Sequence, residues 1–112
     1  MIESIIIKYL EGILHKPVFA EVPDTVPNEY IIVEKVGGAG SIFYEKASVA
    51  IQSYSTTLLN AAKLNRDVKR AMFNIINLDK VISCNLDSDY NYTDEETMQY
   101  RYQAVYDIAF YD

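Results

Sequence analysis

Residues 98–110 read MQYRYQAVYDIAF, and their spacing is the most regular in the chain. Met98, Tyr100, Tyr102, Ala104, Tyr106, Ile108 and Phe110 alternate with Gln99, Arg101, Gln103, Val105, Asp107 and Ala109. Successive side chains of an extended strand point to opposite faces, so a period of two predicts a strand with its aromatic and aliphatic side turned to a core. The rest of the fold is read outward from this strand.

Asp87–Thr97 (DSDYNYTDEET) is polar and acidic and reads as a connection, whereas Val81–Leu86 has β character. Ahead of these, Ser55, Thr56 and Thr57 offer an N-cap. Leu58, Ala61, Leu64, Asn65, Val68, Met72, Ile75 and Ile76 follow at helical spacing, which predicts a helix to about Ile76. Lys46–Tyr54 and Tyr30–Val36 read as strands, joined by the glycine-rich stretch Gly37–Glu45, which is long for a hairpin and is read as a flexible loop. Val18–Val22 is a short β-branched segment before the turn-rich PDTVPNE run at 23–29. At the start, Ile2, Ile6, Tyr9, Leu10 and Ile13 share one helical face, and Pro17 forbids continuation, so the first helix should end near His15. The order α-β-β-β-α-β-β predicts one α+β domain over residues 1–112, with two helices on one face of a mainly antiparallel sheet of four to five strands.

Composition removes several function classes. The 112 residues carry 16 acids and 10 bases, for a net charge of -6, so nothing draws the chain to phosphate backbones or anionic membranes. A single cysteine, Cys84, excludes an intramolecular disulfide and any multi-cysteine metal site. No apolar run is long enough to span a membrane, and no signal-peptide pattern opens the chain, so a cytosolically made protein is expected. Ten tyrosines, four phenylalanines and no tryptophan make an unusual aromatic share that needs a use.

Catalytic constellations do not assemble from this inventory. His15 is the only histidine and stands at a helix end, where an imidazole favours the C-terminal dipole. Cys84, inside a strand, reads as a small buried apolar residue. The glycines of Gly37-Gly38-Ala39-Gly40-Ser41 lack the lysine and following helix of a phosphate loop. Asp87-Ser88-Asp89-Tyr90-Asn91 begins like a calcium loop, but Tyr92 and Met98 occupy the positions that require glycine and a bidentate glutamate, so a solvated acidic turn is the better reading. Asn91-Tyr92-Thr93 is a glycosylation sequon without use unless the chain is secreted. No enzyme activity, metal or cofactor is expected.

Charge is distributed unevenly. Residues 1–45 sum to -4, residues 46–76 to +4 and residues 77–112 to -6. Lys63, Arg66 and Arg70 lie on the side of the second helix opposite its apolar positions. They are either a solvated face or one half of a head-to-tail contact, in which the basic stripe of one copy meets the acidic third of the next.

The order of IESIIIKYLEGIL, PVFAEVP, YIIVEKVGG, ASVAIQSYS, LLNAAKLNRDVKRAM and SDYNYTDEETMQYRYQAVYDIAFYD resembles the tail terminator proteins of long-tailed bacteriophages, also known as tail completion or head–tail joining proteins. The resemblance covers nearly the whole chain. It implies a small subunit that assembles into a ring, generally a hexamer, at the head-proximal end of the tail tube in the virion, after synthesis in the bacterial cytoplasm. It implies as partners further copies of the chain, the major tail tube protein and the head–tail connector, with DNA passing through the ring without specific binding. The family's flexible loop maps onto Gly37–Glu45 and makes Gly37, Gly38, Ile42, Phe43 and Tyr44 interface candidates, with Ile42, Phe43 and Tyr44 expected either to be disordered in the free monomer and engage a neighbour on assembly, or to pack back on the sheet. Asp87, Asp89, Asp94, Glu95 and Glu96 are expected to face either the lumen or a neighbouring subunit.

Three rival readings remain at the level of sequence. One is another connector component or a tube subunit, which would polymerise into filaments rather than stop at one ring. Another is a small ligand-binding or regulatory domain with tyrosines lining a closed pocket. An enzyme is the third, with no constellation to support it.

Overall fold

The computed structural model describes every residue from Met1 to Asp112. In chain order the elements are α1 (Ile2–Leu14), β1 (Val18–Phe19), β2 (Tyr30–Gly40), β3 (Glu45–Ser55), α2 (Leu58–Phe73), a 3₁₀ turn (Ile75–Asn77), β4 (Val81–Asn91) and β5 (Tyr100–Phe110). The strands form one five-stranded sheet in the order β1-β2-β3-β5-β4.

The α+β class and the two helices agree with the expectation, but the sheet is mixed. β1 runs parallel to β2, pairing Val18 with Ile31 and Phe19 with Ile32, while the other three pairings are antiparallel. A tight hairpin would have made this pair antiparallel. Residues 20–29, with Pro23 and Pro27, instead carry the chain back over a strand only two residues long, a return short enough to need no crossover helix. Gly37–Gly40 also differs from the expected loop. These residues continue β2 opposite Ser48–Glu45, leaving only Ser41–Tyr44 as the connection. Likewise Asp87–Asn91 belongs to β4 rather than to a connection.

One face of the sheet packs under both helices. Ile2, Ile6 and Leu10 of α1 and Leu64, Val68 and Met72 of α2 join Ile31, Val33, Val49, Ile51, Tyr106, Ile108 and Phe110 in a core cluster of 19 buried residues. Tyr9 ties the helices together by donating its hydroxyl to the Ala71 carbonyl at 2.7 Å. The cap at Thr57 forms as the sequence implies, its hydroxyl accepting from the Asn60 N–H. α1 ends at His15, which takes a left-handed backbone (φ 55°) and donates its N–H to the Glu11 carbonyl. Pro17 then prevents the helix from resuming.

The opposite face carries no helix. It holds a small cluster of Tyr30, Ile32 and Tyr54, with Phe19 against it. Tyr30 and Tyr54 stack with ring centroids 4.4 Å apart. The whole body measures 43 × 25 × 25 Å, and its two hairpin turns, Ser41–Tyr44 and the β4–β5 turn, lie at opposite ends of the sheet.

Candidate functional site

Four surface features are candidates, and each follows from local sequence. The first is the β2–β3 turn. Ser41 closes it, its hydroxyl accepting from the N–H groups of Phe43 and Tyr44 while its own N–H donates to the Tyr44 carbonyl at 2.9 Å. The turn therefore has a defined shape and presents Ile42 and Phe43 outward, 92% and 77% exposed. Neither packs back on the sheet. The Lys35 side chain lies over Gly38, its Cε 2.7 Å from where a Cβ would stand, so a larger residue there would displace this flexible side chain.

The second feature is the sheet's outline. β1 covers only Ile31 and Ile32, so the outer edge of β2 from Val33 to Gly40 has no partner strand. β4 is the other outermost strand, and its outer side is free along its full length. Two irregularities, at Val81/Ser83 and Leu86/Ser88, interrupt its register with β5.

The third feature is the groove between α2 and β4. Met72, Phe73 and Leu86 give it apolar walls, Arg66 and Arg70 stand at its rim, and Tyr106 and Cys84 lie at its floor; its volume is about 380 Å³. The Tyr106 hydroxyl is buried and makes no hydrogen bond within the chain, and burial, with Cys84 and Asp89 nearby, pushes its pKa well above the usual phenol value. Burial also raises the Cys84 thiol to about 11, so it is protonated at neutral pH. Beside the groove, Asp89 accepts from Asn65 Nδ2 at 2.7 Å and pairs with Lys69. Asp89 is thus engaged by its own α2, on the helix-facing side of β4.

The fourth feature is the acidic turn of the β4–β5 hairpin. Asp94 and Gln99 exchange backbone hydrogen bonds, both at 3.1 Å, and enclose Glu95–Met98. The Thr97 side chain, helped by the backbone N–H groups of Glu96 and Thr97, holds the Asp94 carboxyl below its ordinary range. Met98 closes the turn with φ 54°, a left-handed conformation that leaves its side chain more than half exposed.

The sequence-derived residues therefore separate into distinct groups. Gly37 and Gly38 lie on an open strand edge, and Ile42, Phe43 and Tyr44 at one pole. Arg66 and Arg70 rim the groove, and Lys63 is exposed one turn earlier on α2. Asp94, Glu95 and Glu96 occupy the other pole, while Asp87 is exposed on the β4 edge. Lys69, Phe73, Leu86 and Met98 were missed. Lys69 follows Arg66 by three residues on the same helix, a spacing that signals it; the exposure of Phe73 follows from its place at the helix end, turned away from the face that buries Leu64, Val68 and Met72.

The uncovered sheet face carries a continuous side-chain chain. Arg101 Nη1 donates to Tyr54 Oη, Tyr54 Oη to Gln52 Oε1, Gln52 Nε2 to Gln103 Oε1, and Gln103 Nε2 to Tyr90 Oη. The Arg101 guanidinium also lies 4.5 Å from the Tyr92 ring centroid. Tyrosines sit here as links in a rigid polar layer.

No group of three or more His, Cys, Asp or Glu side chains converges as a metal site would require, and no helix is long and apolar enough to cross a membrane. No family model matches the chain, and no curated protein matches it.

Proposed function

We propose that this chain is a structural subunit of a bacteriophage tail, assembling as a ring that caps the tail tube, ends its polymerisation and offers the surface to which the head connector docks. The observation that carries the reading is the β2–β3 turn. Ile42 and Phe43 stand out from a turn already held in shape by Ser41, and nothing in their own chain covers them. Exposed apolar side chains on a preorganised projection lower the entropy cost of docking. The two unpaired sheet edges, on opposite sides of one subunit, suit a head-to-tail arrangement in which unlike surfaces meet and close.

A terminator and a tube subunit differ in where growth stops. Adding the purified protein to polymerising tube subunits should arrest growth with one terminal ring per tube. Long filaments formed by the protein alone would instead identify a tube subunit. The ligand-binding alternative called for tyrosines around a closed pocket. Three depressions on the molecule are open to the surface, and of these only the α2/β4 groove has a tyrosine among its lining residues, Tyr106.

A further inference from the structure

We infer that the acidic β4–β5 turn of one copy seats in the α2/β4 groove of a second copy, Met98 entering between Phe73 and Leu86 while Glu95 and Glu96 meet Arg66 and Arg70. The inference rests on the reading of the chain as a self-assembling subunit and names the contact that joins its copies.

Charge and shape on the two surfaces are complementary. The groove has apolar walls and two guanidinium groups at its rim. Lys69 is already matched by Asp89, and Arg66 has only a loose contact with Asp67 at 3.7 Å, whereas Arg70 has no carboxylate partner. The turn offers the inverse: one exposed apolar side chain, Met98, beside the exposed carboxylates of Glu95 and Glu96. Met is well suited to an irregular apolar slot. Its left-handed backbone, an unfavourable conformation for a side-chain-bearing residue, is not a helix cap as at His15 but sits in the turn itself. The groove floor also holds the unpartnered Tyr106 hydroxyl.

The turn cannot reach its own groove. Asp94 lies eight residues beyond Leu86 on the same hairpin, roughly 25 Å along extended chain. From Ser88 to Asn91 this arm is paired with β5, so the turn cannot fold back on the groove. A turn and a groove at separate places on one rigid body meet only between copies, and the contact is heterologous, so it propagates to a ring or a filament.

The test uses two variants of the full chain, Glu95→Arg/Glu96→Arg and Arg66→Glu/Arg70→Glu, which alter exposed side chains only. Self-association is measured by sedimentation velocity up to millimolar protein at low salt, with circular dichroism to verify folding. Each variant alone should associate at least about tenfold more weakly than the parent, because like charges then face each other. An equimolar mixture should recover association, since each reversed turn then finds a groove of opposite sign. Raising the salt should weaken the parent and the mixture alike. Parent copies that associate equally well after either reversal would overturn this contact while leaving the ring reading intact. A parent that stays monomeric at millimolar concentration, with no pairing in the mixture, would also overturn it; the ring reading would then stand or fall on the tube-capping assay.

Discussion

Gln52 on β3 and Gln103 on β5 face each other across the helix-free side of the sheet, both 8% exposed, and the Gln52 Nε2 donates to the Gln103 Oε1 at 2.8 Å. Each amide also continues the chain, one from Tyr54 and the other to Tyr90. Gln52→Ala should therefore cost about 1–3 kcal/mol, because it strands the Tyr54 hydroxyl and the Gln103 carbonyl oxygen together. Changing both glutamines to Ala should cost less than the two single Ala changes added, because the second change removes the oxygen that the first leaves unpaired. Urea unfolding of the two single variants and the double variant measures the coupling.

Asp89 joins β4 to α2 through Asn65 and Lys69. Asn65 is buried, so Asp89→Ala leaves its amide without a partner and should cost about 1–2 kcal/mol. Lys69→Met should cost less, since Asp89 keeps the Asn65 bond and the methionine stem still covers the helix flank. Thermal melts of the two variants give the order.

Glu29 draws the loop before β2 onto the end of β3. Its carboxylate accepts from Lys16 at 2.7 Å and from the Ser55 hydroxyl at 2.9 Å, and the Lys16 bond is the main reason its pKa lies below the ordinary glutamate value. A depressed folded-state pKa means that the stabilisation is complete above the unfolded-state value, near 4.3, and is lost as pH falls through the folded-state value. Glu29→Gln should thus lower stability at pH 7 and leave it nearly unchanged near pH 2. The effect should be below about 1 kcal/mol, as the pair is partly exposed. Urea titrations at the two pH values test the sign.

His15 and Met98 are the two non-glycine residues with positive φ. At His15 the conformation only ends a helix, so His15→Gly should raise stability by up to about 1 kcal/mol and leave assembly unchanged. Met98→Gly should also raise stability by up to about 1 kcal/mol. Unlike His15→Gly, it should weaken self-association. Differential scanning calorimetry beside sedimentation separates the two positions.

What the sequence disclosed depended on how one-sided each element's surroundings are. β5 lies between strands with a helix-covered core on one side and an open layer on the other, and its period of two follows. The second half of β4 has no such contrast. Asp89 faces polar groups of α2 while Ser88 and Tyr90 face the open layer, so a paired strand reads as an acidic connection. Gly37–Gly40 likewise resembles a loop because this end of β2 is exposed on both faces, so no side chains there are needed to pack. The groove was invisible because its walls come from residues 72 and 73 on α2 and residue 86 on β4, which no local pattern links. The tyrosine excess is visible in the composition, but the position of Tyr30 and Tyr54 on the helix-free face emerges only from the pairing register.

Electron microscopy of particles assembled without the protein tests most directly the proposed role of this subunit in ending tail growth and joining tail to head. Tubes that overgrow their normal length and remain free of heads are the predicted result; tails of normal length attached to filled heads would contradict the account.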